Sequence, residues 1–269
     1  MKLGIVGTGL IGGSIGLRAR ELGWNVSGFD ADPAAARAAQ QRGAIDWIAE
    51  RDALYRDSQI LVIAAPPRAT VRELEQLRAH APSAKLIIDV ASVKVPVVDA
   101  AGDLLRFVGT HPLAGSERAG AAAADAALFQ GKTWLYISPS DSANKLHVEE
   151  FIGAMGARAV PTDAAAHDRM LALTSHLPQL LATLFTKSVR QQHAKQSEDF
   201  FGPVARELVR LGNSSPTLWR EIFAYNGANI AAHARELAAQ LEAAARALAD
   251  EAADEKTQAD ERRTKPDRV

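Results

Sequence analysis

Apolar residues follow two rhythms along this chain. As far as about residue 160 they come in short, nearly unbroken runs, at 3–6, 25–29, 59–64, 85–89, 106–109 and 133–138. Runs of that length, rich in Val, Ile and Leu and bounded by turn formers, predict strands. Between most of them the pattern becomes helical, over 10–22, 33–42 and 69–80. Strands that are apolar throughout, joined by helices, imply a parallel sheet covered on both faces. The direction of the last two strands is open at this stage.

Beyond Pro161 the rhythm changes. Met170, Leu171, Leu173, Leu177, Leu180, Leu181 and Leu184 recur at helical spacing, and no strand pattern follows. The reading is a long helix, a break near Phe201-Gly202-Pro203, a second helix, a turn over 212–216, and a final long helix started by Ser215-Pro216. The leucine stripe reads as core packing, with part of it available to a second subunit. The twelve charged residues among 250–269 bury too little to offset ordering entropy, which predicts an unstructured tail. The expected division is an α/β domain over 1–161, an all-α domain over 162–250 and a charged tail over 251–269.

The first strand runs directly into Gly7-Thr8-Gly9-Leu10-Ile11-Gly12, which opens a helix. This is the context a dinucleotide-binding fingerprint requires. Gly7 permits the tight turn, Gly9 lets a pyrophosphate approach the backbone, and Gly12 allows close helix–strand packing. Asp30 closes the second strand, where its carboxylate can accept from both ribose hydroxyls and repel a 2′-phosphate. That order predicts a Rossmann-type domain that prefers NAD to NADP. Ala64-Ala65-Pro66-Pro67, after the next strand, is a second cofactor-facing loop through Ala65 and Pro66, or else an ordinary helix start.

Composition narrows the class. The 269 residues carry a net charge of −1 and no cysteine. The charge argues against nucleic-acid or anionic-membrane partners. Disulfides, thiolate catalysis and cysteine-ligated metals are excluded, and no metal site is expected. No apolar run approaches a membrane span, and the chain begins with a strand rather than a signal peptide, so a cytoplasmic enzyme is expected.

Candidate chemistry lies at later strand ends. Ser92, in Asp89-Val90-Ala91-Ser92-Val93-Lys94, projects toward a nicotinamide or caps a helix. His111, in Gly109-Thr110-His111-Pro112-Leu113-Ala114-Gly115, follows the short strand at 106–109 and is a candidate general base. A histidine base implies activity that falls as pH drops through about 6.5. His176 precedes Pro178 inside an apolar helix, where proline costs ~3 kcal/mol. A kink turning His176 toward a cleft explains that cost, and a core histidine is the plainer alternative. Arg206 and Arg210 lie one helical turn apart, as an anion clamp or as a solvated pair.

The segments at 7–14, 89–94 and 110–117, together with His167-Asp168-Arg169, Thr174-Ser175-His176-Leu177-Pro178 and 209–219, resemble the prephenate/arogenate dehydrogenase family, in family order over about 3–230. The resemblance implies a helical dimerisation domain and a homodimer. It also implies oxidative decarboxylation of prephenate to 4-hydroxyphenylpyruvate, or of arogenate to tyrosine, with NAD reduced. By resemblance His111 is the base, assisted by Ser92. Arg210, His176 and Arg206 bind substrate, and Glu117 orders or gates the loop after His111. The cofactor is held by Gly7, Thr8, Gly9, Leu10, Ile11, Gly12, Asp30, Ala65, Pro66 and Ser92. Two positions depart from the family pattern. Gln179 stands where many relatives carry a second histidine, and Arg206 where some carry lysine. No regulatory ACT domain or fused chorismate mutase is expected. The alternatives are a β-hydroxy-acid or imine dehydrogenase using Lys187 or Lys195, and an NAD-binding redox sensor without chemistry.

Overall fold

The structure, a computed structural model, describes residues 1–80, 82–115, 118–192 and 200–264, with Gln192 and 258–264 in backbone only. Strands β1 (Lys2–Val6), β2 (Asn25–Phe29), β3 (Trp47–Ile48), β4 (Ile60–Ile63), β5 (Leu86–Asp89) and β6 (Phe107–Val108) form one sheet in the order β3-β2-β1-β4-β5-β6. Every pairing in it is parallel. Helices α1 (Leu10–Glu21), α2 (Pro33–Gln41), α3 (Arg51–Asp57), α4 (Pro67–His80) and α5 (Val95–Ala101) make the crossovers. This is the doubly wound order in which the direction of strand addition reverses between β1 and β4.

Alternation along the strands builds the two faces. Ile60 and Val62 join one core with Ile15 of α1 and, from α6 (Ser142–Ala154), Val148, Phe151 and Ile152. Leu61 and Ile63 join the other, with Leu54 and Tyr55 of α3, Leu74 and Leu77 of α4 and Val97 of α5. The six expected strands are all present. The run at 106–109 extends the large sheet in parallel, whereas β8 (Thr133–Ile137) belongs to a separate small sheet. There it pairs antiparallel with β7 (Thr110–Pro112) and parallel with β9 (Arg158–Thr162). Pro161 is tolerated in β9 because that strand is an edge.

Asp163 then caps α7 (Ala164–Leu171), its side chain accepting from the Ala166 amide at 2.7 Å. A π-helical turn, Ala172–His176, joins α7 to α8 (Leu177–Gln192) without a break. Helix α9 (Pro203–Gly212) follows the expected break, with Pro203 in its first turn. The expected final helix is two, α10 (Pro216–Tyr225) and α11 (Gly227–Thr264). Ser215 starts α10 without a side-chain cap bond, so Pro216 is the operative signal.

The segment from 251, expected to be unstructured, continues α11 as far as Thr264. Its Ala, Glu, Lys, Gln and Arg are strong helix formers, and no Gly or Pro interrupts them before Pro266. Extending a helix that already exists avoids the cost of nucleation. The leucine stripe divides. Leu171 and Leu177 are buried, while Met170, Leu173, Leu181 and Leu184 are exposed on the single chain.

Candidate active site

The glycine turn shows why its residue types are required. Gly7 has φ +91°, and a Cβ there would fall 2.4 Å from the Ala64 carbonyl oxygen. The turn is thus pressed against the loop after β4 that holds Ala65 and Pro66. A Cβ on Gly12 would strike the Gly7 carbonyl oxygen at 2.0 Å. Gly9, the N-cap of α1, meets nothing within 4 Å. Open space over the amino end of a twelve-residue helix is what a pyrophosphate needs. Leu10 and Ile11 begin that helix.

Asp30 leaves β2 at the same edge. Its Oδ2 accepts the Thr8 amide at 2.8 Å and the Thr8 hydroxyl at 3.2 Å, and its Oδ1 accepts the Asp32 amide at 3.0 Å. A carboxylate has about four acceptor sites, so with three taken one remains for a ribose hydroxyl, and a second hydroxyl would take the place of the Thr8 hydroxyl. Residues from the carboxyl ends of β1, β2, β4 and β5 therefore fit a dinucleotide lying across the reversal point.

His111 follows β6, as expected, and itself lies within the short strand β7, opposite Leu135. A buried polar set anchors it. Asp89 accepts the Thr110 amide at 3.0 Å and the Ala91 amide at 2.8 Å, and it pairs with the Lys94 ammonium. Lys94 also donates to the Thr110 carbonyl at 2.6 Å. Trp134 donates its indole N–H to the Thr110 hydroxyl at 2.9 Å. Burial pushes the Lys94 ammonium below its usual pKa, and Asp89 opposes that shift.

His111 Nδ1 lies 2.9 Å from His167 Nε2, and His167 Nδ1 lies 2.7 Å from Asp168 Oδ1. Asp168 accepts the Lys94 amide on Oδ1 at 2.7 Å and the Val95 amide on Oδ2 at 2.8 Å. Burial works to raise the Asp168 pKa, but the bonds from His167 and these two amides outweigh it and hold the group below its usual range. Burial drives the His111 pKa well below its usual value, assisted by His167, Lys94 and His176. The expected fall in activity through pH 6.5 accordingly moves to lower pH.

His176 is fully buried beneath this group, turned inward by the π turn. Its Nδ1 lies 3.0 Å from Asn226 Nδ2, which also donates to the Asp168 carbonyl at 2.7 Å. Its Nε2 is buried on the side of the Ser92 main chain, an interaction that works to raise its pKa. Burial lowers its pKa to about 4 against the opposing Asp168 charge, so it is neutral near pH 7. Ser92 is half-buried in the loop after β5, its main chain beside His176. It caps no helix, since Lys94 holds the N-cap position of α5.

Ser92, His111 and His176 are therefore brought together. Arg206 and Arg210 lie on the exposed surface of α9 and take no part in the His111–His167–Asp168 chain; Arg210 holds Glu207 through two bonds, at 2.6 and 2.8 Å. Gln179 is buried and donates to the Leu211 carbonyl at 2.7 Å, tying α8 to α9. Glu117 and Lys195 lie outside the described residues, and Lys187 is exposed. Sequence reasoning assigned no role to His167, Asp168 or Asn226. The adjacent His-Asp pair just inside a capped helix was the one available signal for the first two.

Comparison with known proteins matches both halves of the chain. Residues 15–160 match the family described as prephenate dehydrogenase, nucleotide-binding domain, and residues 163–259 match prephenate dehydrogenase, dimerization domain. A probable prephenate dehydrogenase, NovF, of Streptomyces niveus is 35% identical over 88% of this chain and 66% of its own length. The prephenate dehydrogenase of Bacillus subtilis is 32% identical over 82% of this chain and 63% of its own. The chain thus spans about two thirds of the length of these curated relatives. Among solved structures, a putative prephenate dehydrogenase from Corynebacterium glutamicum is 26% identical, with TM-score 0.83 over 96% of this chain and 89% of that one. The prephenate dehydrogenase of A. aeolicus, solved with hydroxyphenyl propionate and NAD+, shares the fold at 23% identity, with TM-score 0.85 over 97% of this chain and 95% of that one. With both halves of the chain matched in order, and with the glycine turn and buried histidines in place, the protein belongs to the prephenate dehydrogenase family.

Proposed function

We propose that this chain catalyses the NAD-dependent oxidative decarboxylation of prephenate to 4-hydroxyphenylpyruvate. The observation that carries the reading is a buried, neutral His111 at the carboxyl edge of a dinucleotide-binding sheet. NAD, when bound, supplies the acceptor for the hydride at C4 of the substrate ring. His111 takes the C4 hydroxyl proton, and Ser92 orients that hydroxyl. The C1–carboxylate bond breaks, its electron pair enters the ring, and carbon dioxide leaves. His111 can then return the proton to the phenolate oxygen, so the protein ends unchanged.

His176 acts as a neutral donor rather than a cation. With Nδ1 accepting from Asn226, the proton resides on Nε2, which is directed at the main chain of Ser92. Arg210, with Arg206, supplies positive charge for the substrate carboxylates. The proposed assembly is a cytoplasmic homodimer formed through the helical domain. Among the described residues no helix is long and apolar enough to cross a membrane.

The test is an NADH-forming assay with prephenate, arogenate and a β-hydroxy acid side by side, for the wild type and for His111→Asn. Prephenate turnover is expected, reduced roughly 10²–10⁴-fold in H111N while NAD still binds. Turnover of arogenate alone would move the assignment to the ammonium substrate. Turnover of the hydroxy acid alone, or of none of the three, would remove it.

A further inference from the structure

The mechanism above uses His111 but not the two groups behind it. Their protons can be placed by working outward from Asp168. That group accepts two main-chain amides, from Lys94 and Val95, one on each oxygen. Charge-assisted bonds of this kind keep it a carboxylate, which accepts but cannot donate. The proton in the 2.7 Å contact therefore belongs to His167 Nδ1. A neutral imidazole protonated there offers a lone pair at Nε2. The atom 2.9 Å away is His111 Nδ1, which must then be the donor. That leaves the lone pair of His111 on Nε2, a nitrogen that bonds to no described residue.

We infer that His167 and Asp168 are positioning residues that hold His111 as its Nδ1–H tautomer, making Nε2 the atom that receives the substrate proton. The inference rests on the reading of His111 as the base. It gives the pair a second effect. When Nε2 gains its proton, Nδ1–H keeps its acceptor in the lone pair of a neutral His167, and only a charged His167 would oppose it. The other groups around His111 supply no such acceptor. Lys94 and His176 both oppose its charge, and Asp89 is already engaged by the Lys94 ammonium and two amides.

A purely mechanical role for His167, tying α7 to β7, would leave the tautomer unfixed. Two variants separate these cases. His167→Gln places an amide oxygen near the position of Nε2 and keeps an acceptor for His111. His167→Asn keeps a donor toward Asp168 and withdraws that acceptor. Nitrogen-15 NMR of the histidine side chains in the full chain at pH 8, with His111 assigned by its loss in H111N, reads the tautomer without substrate.

The expected result is a protonated Nδ1 and a bare Nε2 in the wild type, lost in H167N and retained in H167Q. Turnover should fall roughly 10²-fold in H167N with KM for NAD unchanged, and recover in part in H167Q. A wild-type His111 protonated on Nε2, or equal turnover in the two variants, would overturn the inference. Wild-type inactivity toward prephenate would instead count against the proposed reaction, and the tautomer measurement would still decide the role of His167.

Discussion

Burial costs a histidine its charge, and this protein buries two in that condition. His111 and His176 both have folded-state pKa values below the ordinary 6.5, burial being the leading cause for each. Above pH 6.5 they are neutral whether folded or unfolded. As pH falls below that value the unfolded chain takes up protons that the folded one refuses, so their contribution to stability is lost down to the folded value, about 4 for His176. The urea midpoint should therefore drop between pH 7 and pH 5, and His176→Gln should show a shallower drop. An unchanged slope in that variant would show that His176 titrates normally in the fold. His111 is legible in the sequence because it follows an apolar run near a strand end. Its partner His167 lies 56 positions away, and Asn226 meets Asp168 across 58. No local rhythm reports contacts of that range, so the histidine could be proposed as the base while the His167-Asp168 pair was visible only as a motif without a role.

The π turn is the element that most affects the site. Leu177 donates its amide to the Ala172 carbonyl, five residues back, and Pro178 has no N–H to continue an ordinary helical ladder. Widening the helix by one residue moves the Thr174 carbonyl away from the proline ring and rotates His176 inward. Pro178→Ala should restore the regular ladder. The thermal midpoint is expected to hold or rise, since proline in a helix costs ~3 kcal/mol, while kcat/KM falls roughly 10²-fold as His176 leaves its place. Full activity in that variant would separate the turn from catalysis. The long elements were readable from period alone, and the proline marked a disturbance without giving its form. The two-residue β3 is too short to show alternation, Pro161 disguises β9, and the three-residue β7 ends in a proline. The charged end of α11 was misjudged because burial was weighed without helix propensity.

At the scale of the whole molecule, the helical part buries too little within one chain. Helix α9 has no fully buried residue, while Leu181, Leu184, Phe200, Val204, Leu241 and Leu248 are all exposed. Apolar surface of that extent calls for a partner, and dimerization is in the description of the family that 163–259 match. Light scattering should give about twice the 28.7 kDa chain mass, and Leu184→Glu combined with Leu241→Glu should shift the protein toward the monomer. A wild-type monomer at micromolar concentration would contradict the assembly.

Asp168, from the helical side, holds the amides at the start of α5, and His167 beside it completes the chain to His111. A nucleotide-binding domain without these helices would keep its glycine turn but lose the dipeptide behind His111. Under the proposed reaction, coenzyme binding and turnover are therefore expected to part when the helical side is removed, the first surviving on the glycine turn and the second not.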